Sequence, residues 1–330
     1  MPKEMIEKIA QQLDLGTLSS EPKQLTGGFM HQMYALFTTK GKYAIKLLNP
    51  YIMKRETAMV NFQAAEQLEK LVEESQIPIL PAMTFNGQKM QEIEGQFFYI
   101  YEWYEGRSLK IEEINPTHCR KIGNALAKTH QIDQKEVPFE SHDIQINWDD
   151  YIEKMADYDK GIYELLKENR SLLYESQRRG NQAIKNIPPL LTICHNDMDS
   201  KNVLRHEQDY RIIDLETLSY SSPYLELFEV ALCWSGYSIS KIDYDLFKVL
   251  IQSYHDAGGQ LTTDWNVIYD SNNSRLEWLA FNLDRTLGID CSLEEQKIGF
   301  NEVKETMKQI VYYDEIRENV LNSLEELKVV

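Results

Sequence analysis

The first third of the chain alternates short apolar runs with turn residues, a pattern that is typical of β-strands. FMHQMYALFTT and KYAIKLL, with Lys40-Gly41 between them, predict two strands joined by a tight hairpin. ILPAMTF, KMQEIEG and QFFYIYEW predict three more strands. Between these two groups, apolar positions at helical spacing predict one long helix over residues 53–74. We therefore expect a small antiparallel sheet with one inserted helix.

The remainder of the chain carries apolar positions mostly at helical spacing. Helices are predicted at residues 116–132, 149–177, 223–234, 244–257, 274–287 and 293–327. The strand-like exceptions are LLTICHN and the hairpin VLRHEQDYRIIDLE. The pattern predicts an α+β fold with a small antiparallel β N-lobe over residues 1–103 and a larger, mostly helical C-lobe over residues 104–330.

Composition limits the classes of partner. At 330 residues, 42% apolar and 26% charged, the chain is long enough and apolar enough for two folded lobes. The net charge of −17 disfavours nucleic acid, whose phosphates would be repelled, and favours a cationic partner. The same charge also fits an acidic surface that only aids solubility.

The sequence shows no membrane or export signal. No apolar run approaches the length of a membrane span, and MPKEMIEKIAQQLDL is typical of an amphipathic helix rather than a signal peptide. The four cysteines form no CxxC pair, which argues against a zinc site or a disulfide framework. We therefore expect a cytoplasmic protein, a monomer or homodimer, with no membrane partner.

One short stretch concentrates polar residues between buried strands: CHNDMDSKNVLRHEQDYRIIDLE, residues 194–216. His195, Asp197 and Asn202 form the pattern HxDxxxxN, and Asp214 follows at the end of an apolar strand. An amide oxygen and a carboxylate are ligands suited to Mg²⁺. Asp197 is placed to accept a proton from a substrate hydroxyl. This arrangement favours phosphoryl transfer.

Phosphoryl transfer also needs a cation for the nucleotide phosphates, and YAIK supplies Lys46. In a strand, Ala44 and Lys46 point to the same face, so a small residue admits an adenine ring beside the lysine. A flexible turn over the phosphates is predicted at Gly27 and Gly28 in LTGGFM. A Gly-Gly pair is equally typical of an ordinary turn.

HNDMDSKNVL with IIDLE, preceded by YAIK, resembles the aminoglycoside phosphotransferase and choline kinase superfamily, relatives of protein kinases. The resemblance covers nearly the whole chain. IGNALAKTH resembles the family's helix ahead of the catalytic loop, IPILP its strand after the first-lobe helix, and YEWYEG its hinge. It implies a protein-kinase-like two-lobed fold and a small-molecule kinase. Such an enzyme moves the γ-phosphate of ATP, or of GTP, to a hydroxyl with Mg²⁺ as cofactor.

The resemblance also assigns roles to the polar residues. Asp197 becomes the catalytic base, Asn202 and Asp214 hold Mg²⁺, and His195 orients the loop. Glu216 joins the metal shell through water or meets a cationic substrate. The spacing of Asp214 and Glu216 resembles the choline kinase branch in particular.

Three further positions are assigned around this centre. Lys201 either touches the transferred phosphoryl group or is a solvated lysine. The backbone around Glu102 and Tyr104, in the segment that resembles the hinge, is expected to bind adenine.

Lys46 is expected to pair with a glutamate of the helix predicted over residues 53–74, and the candidates are Glu56 and Glu66. The apolar face of that helix is assigned to Val60, Ala64, Leu68 and Leu71. Glu56 lies one turn before this face begins, whereas Glu66 falls on the polar stripe. Helical phase therefore favours Glu56.

Other interpretations stay open. The HxDxD of His195, Asp197 and Asp199 fits a hydrolase metal cluster, although no second His/Asp group lies at suitable spacing. A non-catalytic nucleotide-binding protein is a further alternative. His31 and His130 are predicted to be packing or surface residues.

The expected partner is a small hydroxylated, cationic molecule, and two classes are considered. A polycationic aminoglycoside needs several carboxylates, for which the candidates are Glu226, Glu229 and Asp284. Choline or ethanolamine needs a small aromatic–acidic cage, for which the candidates, if they are not core residues, are Trp234, Tyr237 and Trp278. In PYLELFEVALCWSG, which resembles the family's helix after the metal loop, Glu226 lies where an aspartate is usual.

Overall fold

The structure, a computed structural model, describes residues 2–25, 31–271 and 273–327. The strands among these residues are β1 (Lys23–Leu25), β2 (Gln32–Phe37), β3 (Lys42–Leu47), β4 (Gln91–Ile93), β5 (Gln96–Glu102), β6 (Arg107–Ser108), β7 (Gln134–Lys135), β8 (Leu191–Cys194), β9 (Val203–His206), β10 (Asp209–Ile212) and β11 (Ser219–Ser221). The helices are α1 (Pro2–Gln12), α2 (Pro50–Met53), α3 (Ala58–Glu74), α4 (Pro116–His130), α5 (Trp148–Tyr158), α6 (Lys160–Glu168), α7 (Arg170–Ala183), α8 (Pro223–Trp234), α9 (Tyr244–Asp256), α10 (Trp265–Asp270), α11 (Asn273–Thr286), α12 (Leu293–Glu315) and α13 (Arg317–Glu326). None of these helices combines the length and the apolar sequence that a membrane span requires.

The chain divides into two compact units. The first unit comprises Met1–Glu113 and Ile193–Ser219, and the second comprises Ile114–Thr192 and Tyr220–Val330. This division differs from the predicted boundary at residue 104, because residues 193–219 group with the N-terminal part of the chain. The polar stretch and the predicted lysine strand therefore belong to one unit.

The first unit is built on a five-stranded antiparallel sheet with the strand order β1-β2-β3-β5-β4. The hairpin predicted at Lys40-Gly41 is confirmed, with Thr38 N donating to the carbonyl of Gly41 at 2.9 Å. Ala44 and Lys46 of β3 lie opposite Tyr101 and Tyr99 of β5. Directly opposed residues in such a ladder share a face.

The two faces of this sheet carry different apolar cores. On one face, α1 contributes Ile6 and Ile9 to a cluster whose buried sheet residues include Leu36, Ile45 and Ile100. Completely burying an aliphatic side chain of this size contributes about 1.5–3 kcal/mol. The cluster toward α3 contains four buried residues: Leu48, Phe62, Ala82 and Tyr99.

The prediction of a strand at ILPAMTF is wrong, since this segment forms only isolated β-bridges, at Ile79 and Phe85. Pro78 and Pro81 lack backbone N–H groups and therefore cannot donate to a ladder. The segment instead makes separate contacts in the first unit. Leu80 N donates to the carbonyl of Ile212 at 2.8 Å, and Met83 N donates to the carbonyl of Ile100 at 2.7 Å.

The single helix predicted over residues 53–74 is divided, and its predicted phase is wrong. Helix α2 ends at Met53 and α3 begins at Ala58. Val60, assigned to the apolar face, is 66% exposed. The residues of α3 that are buried are Ala58, Phe62, Ala65, Leu68, Glu69 and Val72. The phase was predicted from apolar residues alone, whereas the buried face of α3 includes the charged Glu69.

That buried glutamate is fixed by two donors. Glu69 Oε1 accepts from Ala82 N at 2.8 Å and from Lys89 Nζ at 2.7 Å. Burial raises the pKa of Glu69 above its ordinary value, although Lys89 acts in the opposite direction. These partners explain how a carboxyl group is accommodated on the inner face of α3.

The second unit is mostly helical. One of its cores combines residues of α5, α6, α7, α11 and α12, and the largest side chain there is Trp148, which is fully buried. Two predicted helices are interrupted. The prediction of one helix over residues 149–177 is replaced by α5, α6 and α7: Asp159 adopts an extended conformation and caps α6 through Ile162 N at 2.8 Å, and a second break falls at Asn169. Residues 293–327 break between α12 and α13 at Ile316, and the short α10 was not predicted.

Candidate functional site

His195 ties the polar loop to the strand that precedes Asp214. It is 1% exposed. Its Nε2 lies 2.9 Å from the carbonyl oxygen of Ile213, and its Nδ1 accepts from Asp197 N at 3.3 Å. Because a carbonyl only accepts, the ring proton must be on Nε2. The His195 ring therefore orients the loop through hydrogen bonds to the backbone of Asp197 and Ile213.

Asp197 and Asn202 are joined directly. Asn202 Nδ2 donates to the carbonyl oxygen of Asp197 at 2.8 Å and to its Oδ2 at 2.9 Å. Asn202 is 5% exposed, while the side chain of Asp197 is 38% exposed. With the amide nitrogen so engaged, Oδ1 is the atom that Asn202 offers to a further group.

Lys201 lies beside the carboxylates of the same loop. Its Nζ is 3.2 Å from Asp197 Oδ1 and 3.4 Å from Asp199 Oδ2. Burial acts to lower the pKa of the Lys201 ammonium, but the combined attraction of Asp199 and Asp197 raises it. The side chain of Lys201 is half exposed, as predicted for a solvated lysine, but it is also paired with the catalytic-loop carboxylates, as predicted for a phosphoryl contact.

Lys46 contacts two carboxylates that belong to the second chain segment of the first unit, residues 193–219. Its Nζ donates to Asp214 Oδ1 and to Glu216 Oε1. Lys46 is 7% exposed. Asp214 has left-handed backbone geometry, with φ 67° and ψ 49°, which is uncommon for a non-glycine residue and concentrates at functional sites.

The pKa values of these two carboxyl groups are shifted in opposite directions. For Asp214, burial acts to raise the pKa, but Lys46 lowers it to about 2. For Glu216, burial raises the pKa to about 7, with Lys46 opposing and Asp214 adding to the rise. Adjacent carboxylates that share one ammonium are expected to separate in this way.

These residues fit a divalent cation. Glu216 Oε2 is buried and has no hydrogen-bond partner among the described residues. Such an atom is costly unless another group satisfies it. Asn202, Asp214 and Glu216 all supply the hard oxygen atoms that Mg²⁺ prefers, and all three lie in the first unit.

His31 also lies at this centre. Its Nε2 is 3.5 Å from Glu216 Oε1, and its Nδ1 accepts from Asn49 N at 3.0 Å. Burial and, to a smaller extent, the charge of Lys46 lower the pKa of His31 to about 4, with Asp214 acting in the opposite direction. The sequence interpretation of His31 as a packing or surface residue missed this contact, because no local motif marks it.

The glutamate predicted to pair with Lys46 does not do so in this structure. Glu56 is exposed and precedes α3 rather than lying on it. Glu66 is engaged elsewhere: it accepts from Tyr99 Oη at 2.9 Å and from Met90 N at 3.1 Å. The physical reason for the error is that the helix phase was wrong and that closer carboxylates already satisfy Lys46.

The segment expected to bind adenine lies at the end of β5 and just beyond it. Trp103 N donates to the carbonyl of Lys42 at 3.2 Å, so this residue faces β3. Tyr104 lies beyond β5, and its carbonyl accepts from Gly106 N at 2.8 Å. Gly27 and Gly28, predicted to cover the phosphates, lie outside the described residues.

The carboxylates suggested for an aminoglycoside all have partners in the second unit. Glu226 Oε2 lies 2.7 Å from His130 Nε2, and both residues are buried. Glu229 forms a two-pronged ion pair with Arg275, at 2.9 and 2.6 Å. Asp284 Oδ1 accepts from Tyr151 Oη at 2.8 Å.

The three aromatic residues suggested for an ammonium cage differ in their exposure and in their contacts. Trp234 is buried, whereas Trp278 is 41% exposed. The ring of Tyr237 already faces a cation of this chain, because the guanidinium of Arg275 lies 5.2 Å from its centroid and 4.1 Å from that of Tyr313. Arg275 therefore fills the cation position at Tyr237.

The chain is similar to a family of phosphotransferases and to several solved small-molecule kinases. The profile of the phosphotransferase enzyme family matches residues 21–259. Spectinomycin phosphotransferase, solved with ADP and spectinomycin, has a TM-score of 0.72 and 14% identity over 94% of this chain and 98% of its own. An amicoumacin kinase, solved with AMP-PNP and Ca²⁺, has a TM-score of 0.59 and 13% identity over 94% of each chain.

The similarity extends to a second group of kinases. An ethanolamine kinase of Plasmodium vivax has a TM-score of 0.53 and 16% identity over 89% of this chain and 82% of its own. No curated protein matches the chain. The structural matches confirm the predicted α+β, protein-kinase-like fold.

Proposed function

Since the chain belongs to the phosphotransferase enzyme family, we propose that it transfers the γ-phosphate of ATP to a hydroxyl group of a small molecule. The main support for this proposal is that the lysine strand YAIK and the polar stretch HxDxxxxN with Asp214 meet in the first unit. Asp197 and Asn202 are hydrogen-bonded to each other, and Lys46 contacts the Asp214 that follows them. This set provides a base, oxygen ligands and a phosphate-binding cation, which phosphoryl transfer requires.

The catalytic residues act mainly by position and charge. Asp197 accepts the proton of the substrate hydroxyl as the oxygen attacks phosphorus. Asn202 holds the Asp197 carboxylate in place through its amide nitrogen. His195 fixes the loop through Ile213. Lys201, next to Asp197, stabilises charge on the transferred phosphoryl group.

The nucleotide site is proposed for the sheet of the same unit. Lys46 binds the phosphates, and the small side chain of Ala44 on the same face leaves room for adenine. The backbone of Glu102 and Tyr104 supplies hydrogen bonds to the base. A Mg²⁺ ion held by Asn202, Asp214 and Glu216 would neutralise phosphate charge. Gly27 and Gly28 are proposed to cover the phosphates, and GTP is the alternative donor.

The proposed acceptor is a small hydroxylated, cationic molecule of the aminoglycoside type. The net charge of −17 supports a cationic acceptor. Choline or ethanolamine is the alternative, and the contact between Arg275 and Tyr237 argues against a quaternary ammonium at that ring. We further propose that the enzyme acts in the cytoplasm as a monomer or homodimer.

A panel assay tests this function. ADP release is measured with ATP, Mg²⁺ and aminoglycosides, amino sugars, choline or ethanolamine as acceptors. Once an acceptor is found, D197N is expected to lower turnover by about 100-fold or more, the contribution typical of a general base. D209N, at an exposed position of the following hairpin, is the matched control. Full activity of D197N would contradict the assignment and favour another base.

A further inference from the structure

We propose that His31 is a positioning residue that, together with Lys46, fixes the Glu216 carboxylate for cation binding. The inference rests on the proposed function, because it concerns the same cation site. It assigns a role to a residue that carries no catalytic motif, and it follows from three contacts within the first unit.

The orientation of the His31 ring is determined by the backbone. Asn49 N donates to Nδ1 at 3.0 Å, so Nδ1 is unprotonated and the proton of the neutral ring lies on Nε2. That nitrogen is the one that faces Glu216, at 3.5 Å from Oε1. His31 therefore turns its N–H nitrogen toward the carboxylate, in the tautomer that the Asn49 contact selects.

His31 and Lys46 both approach the same oxygen of Glu216. Lys46 Nζ and His31 Nε2 each contact Oε1. Oε2 is buried and has no hydrogen-bond partner among the described residues. The ammonium that donates to Oε1 and the imidazole that lies against the same oxygen restrict the rotation of the carboxylate and leave Oε2 as the ligand atom. This is how partners outside the ligand set orient a metal ligand.

The histidine also connects the site to α3. Its ring lies 6.2 Å from that of Phe62, a buried residue of this helix. Glu66 and Glu69 of α3 do not make this connection, because Glu66 contacts Tyr99 and Glu69 contacts Lys89. His31 therefore lies between Phe62 of α3 and Glu216 of the site.

The test measures cation affinity without an acceptor substrate. Mn²⁺ is titrated by electron paramagnetic resonance into the full-length protein with ADP present, and thermal unfolding is recorded in parallel. H31F keeps an aromatic ring beside Phe62 but removes the donor, and we expect Mn²⁺ to bind about 10-fold or more weakly. H31Q retains an N–H donor and is expected to recover affinity to within about threefold of wild type. E66Q, a substitution on α3, is the matched control and is expected to bind Mn²⁺ as wild type does.

The outcomes separate this inference from the proposed function. If H31F folds and binds Mn²⁺ within about twofold of wild type, the positioning role is refuted while the cation site stands. If H31F does not fold, H31M replaces it, and equal affinities of H31M and H31Q would equally refute the role. If wild type itself binds no Mn²⁺ with ADP, the proposed function fails first, and this inference fails with it.

Discussion

Replacing Lys46 by methionine tests the charge arrangement of the site without any substrate. Methionine keeps a flexible apolar side chain but removes the ammonium that contacts Asp214 and Glu216. The side chains of Lys46 and Glu216 are only 9% and 11% exposed, so the change leaves a carboxyl group buried without a counter-charge. Breaking a buried ion pair in this way costs about 3–5 kcal/mol, and K46M is expected to lose that unfolding free energy at pH 8.

Two further variants make the result specific. E216Q removes one of the stranded charges, so K46M/E216Q is expected to be more stable than K46M by about 0.5–3 kcal/mol. Lys42, on the same strand, forms an ion pair with Glu105 at the surface, where both side chains are more than half exposed. K42M is therefore expected to cost less than about 1 kcal/mol.

The loss in K46M is expected to depend on pH. Burial raises the pKa of Glu216 to about 7 from an ordinary value of 4.5. A carboxyl group whose pKa is raised by folding is protonated in the folded state below that value. Its charge therefore destabilises the fold progressively as the pH rises from the ordinary pKa of 4.5 to the raised pKa, and the effect is complete above the raised value. Without Lys46 the pKa of Glu216 rises further, so the loss is expected to be smaller at pH 5 than at pH 8.

Urea unfolding followed by tryptophan fluorescence measures these differences, with wild type and the three variants compared at pH 5 and pH 8. A loss under about 1 kcal/mol for K46M at pH 8 would refute the assigned ion pairs, since that is the range of an exposed pair. A double variant no more stable than K46M would refute them as well.

Three other substitutions or modifications test separate features. A44F fills the space beside Lys46 and is expected to raise the Kd for ATP at least about tenfold, measured by calorimetry, whereas unchanged affinity would remove adenine from that face. G123A places a Cβ 2.5 Å from the carbonyl oxygen of Leu250, so thermal unfolding is expected to report a loss of about 1–3 kcal/mol, and an unaltered Tm would contradict this close approach of α4 and α9. Burial raises the pKa of Cys119 to about 12, so mass spectrometry after iodoacetamide treatment at pH 8 is expected to find it unmodified in the folded protein and modified in urea.

Local spacing made part of the site predictable. Asp197 and Asn202 are five residues apart in one loop, and Ile213 N donates to the carbonyl of Asn202 at 2.9 Å. Such short-range geometry follows from the loop and hairpin that the apolar runs indicate. The sequence therefore located the polar loop correctly between β8 and β9, and it located the hairpin of β9 and β10.

Contacts between distant segments were not predictable in the same way. Lys46 meets Asp214, 168 residues later, and no pattern near either residue specifies the partner. His31 depends on the backbone of Asn49 and on Glu216, which are brought to it only by the folded sheet. Tertiary packing brings these residues together, and hydrophobic periodicity contains no information about such long-range contacts.

The errors in secondary structure have local causes. The buried Glu69 displaced the predicted face of α3, and Val60 lies on the exposed side despite its apolar character. Asp159 ends one helix and caps the next, a signal that periodicity alone overlooks. Pro78, just before ILPAMTF, and Pro81 within it prevented the predicted strand.

The central claim is that Lys46 and the polar stretch from His195 to Glu216 bind one metal–nucleotide complex. The most direct measurement is a crystal structure with a non-hydrolysable ATP analogue and Mn²⁺, with the metal located by its anomalous signal. We predict a metal peak bound by Asn202 and Asp214, with the nucleotide phosphates against Lys46. Ordered phosphates and a metal peak bound elsewhere on the chain, with these residues unaltered, would contradict the account.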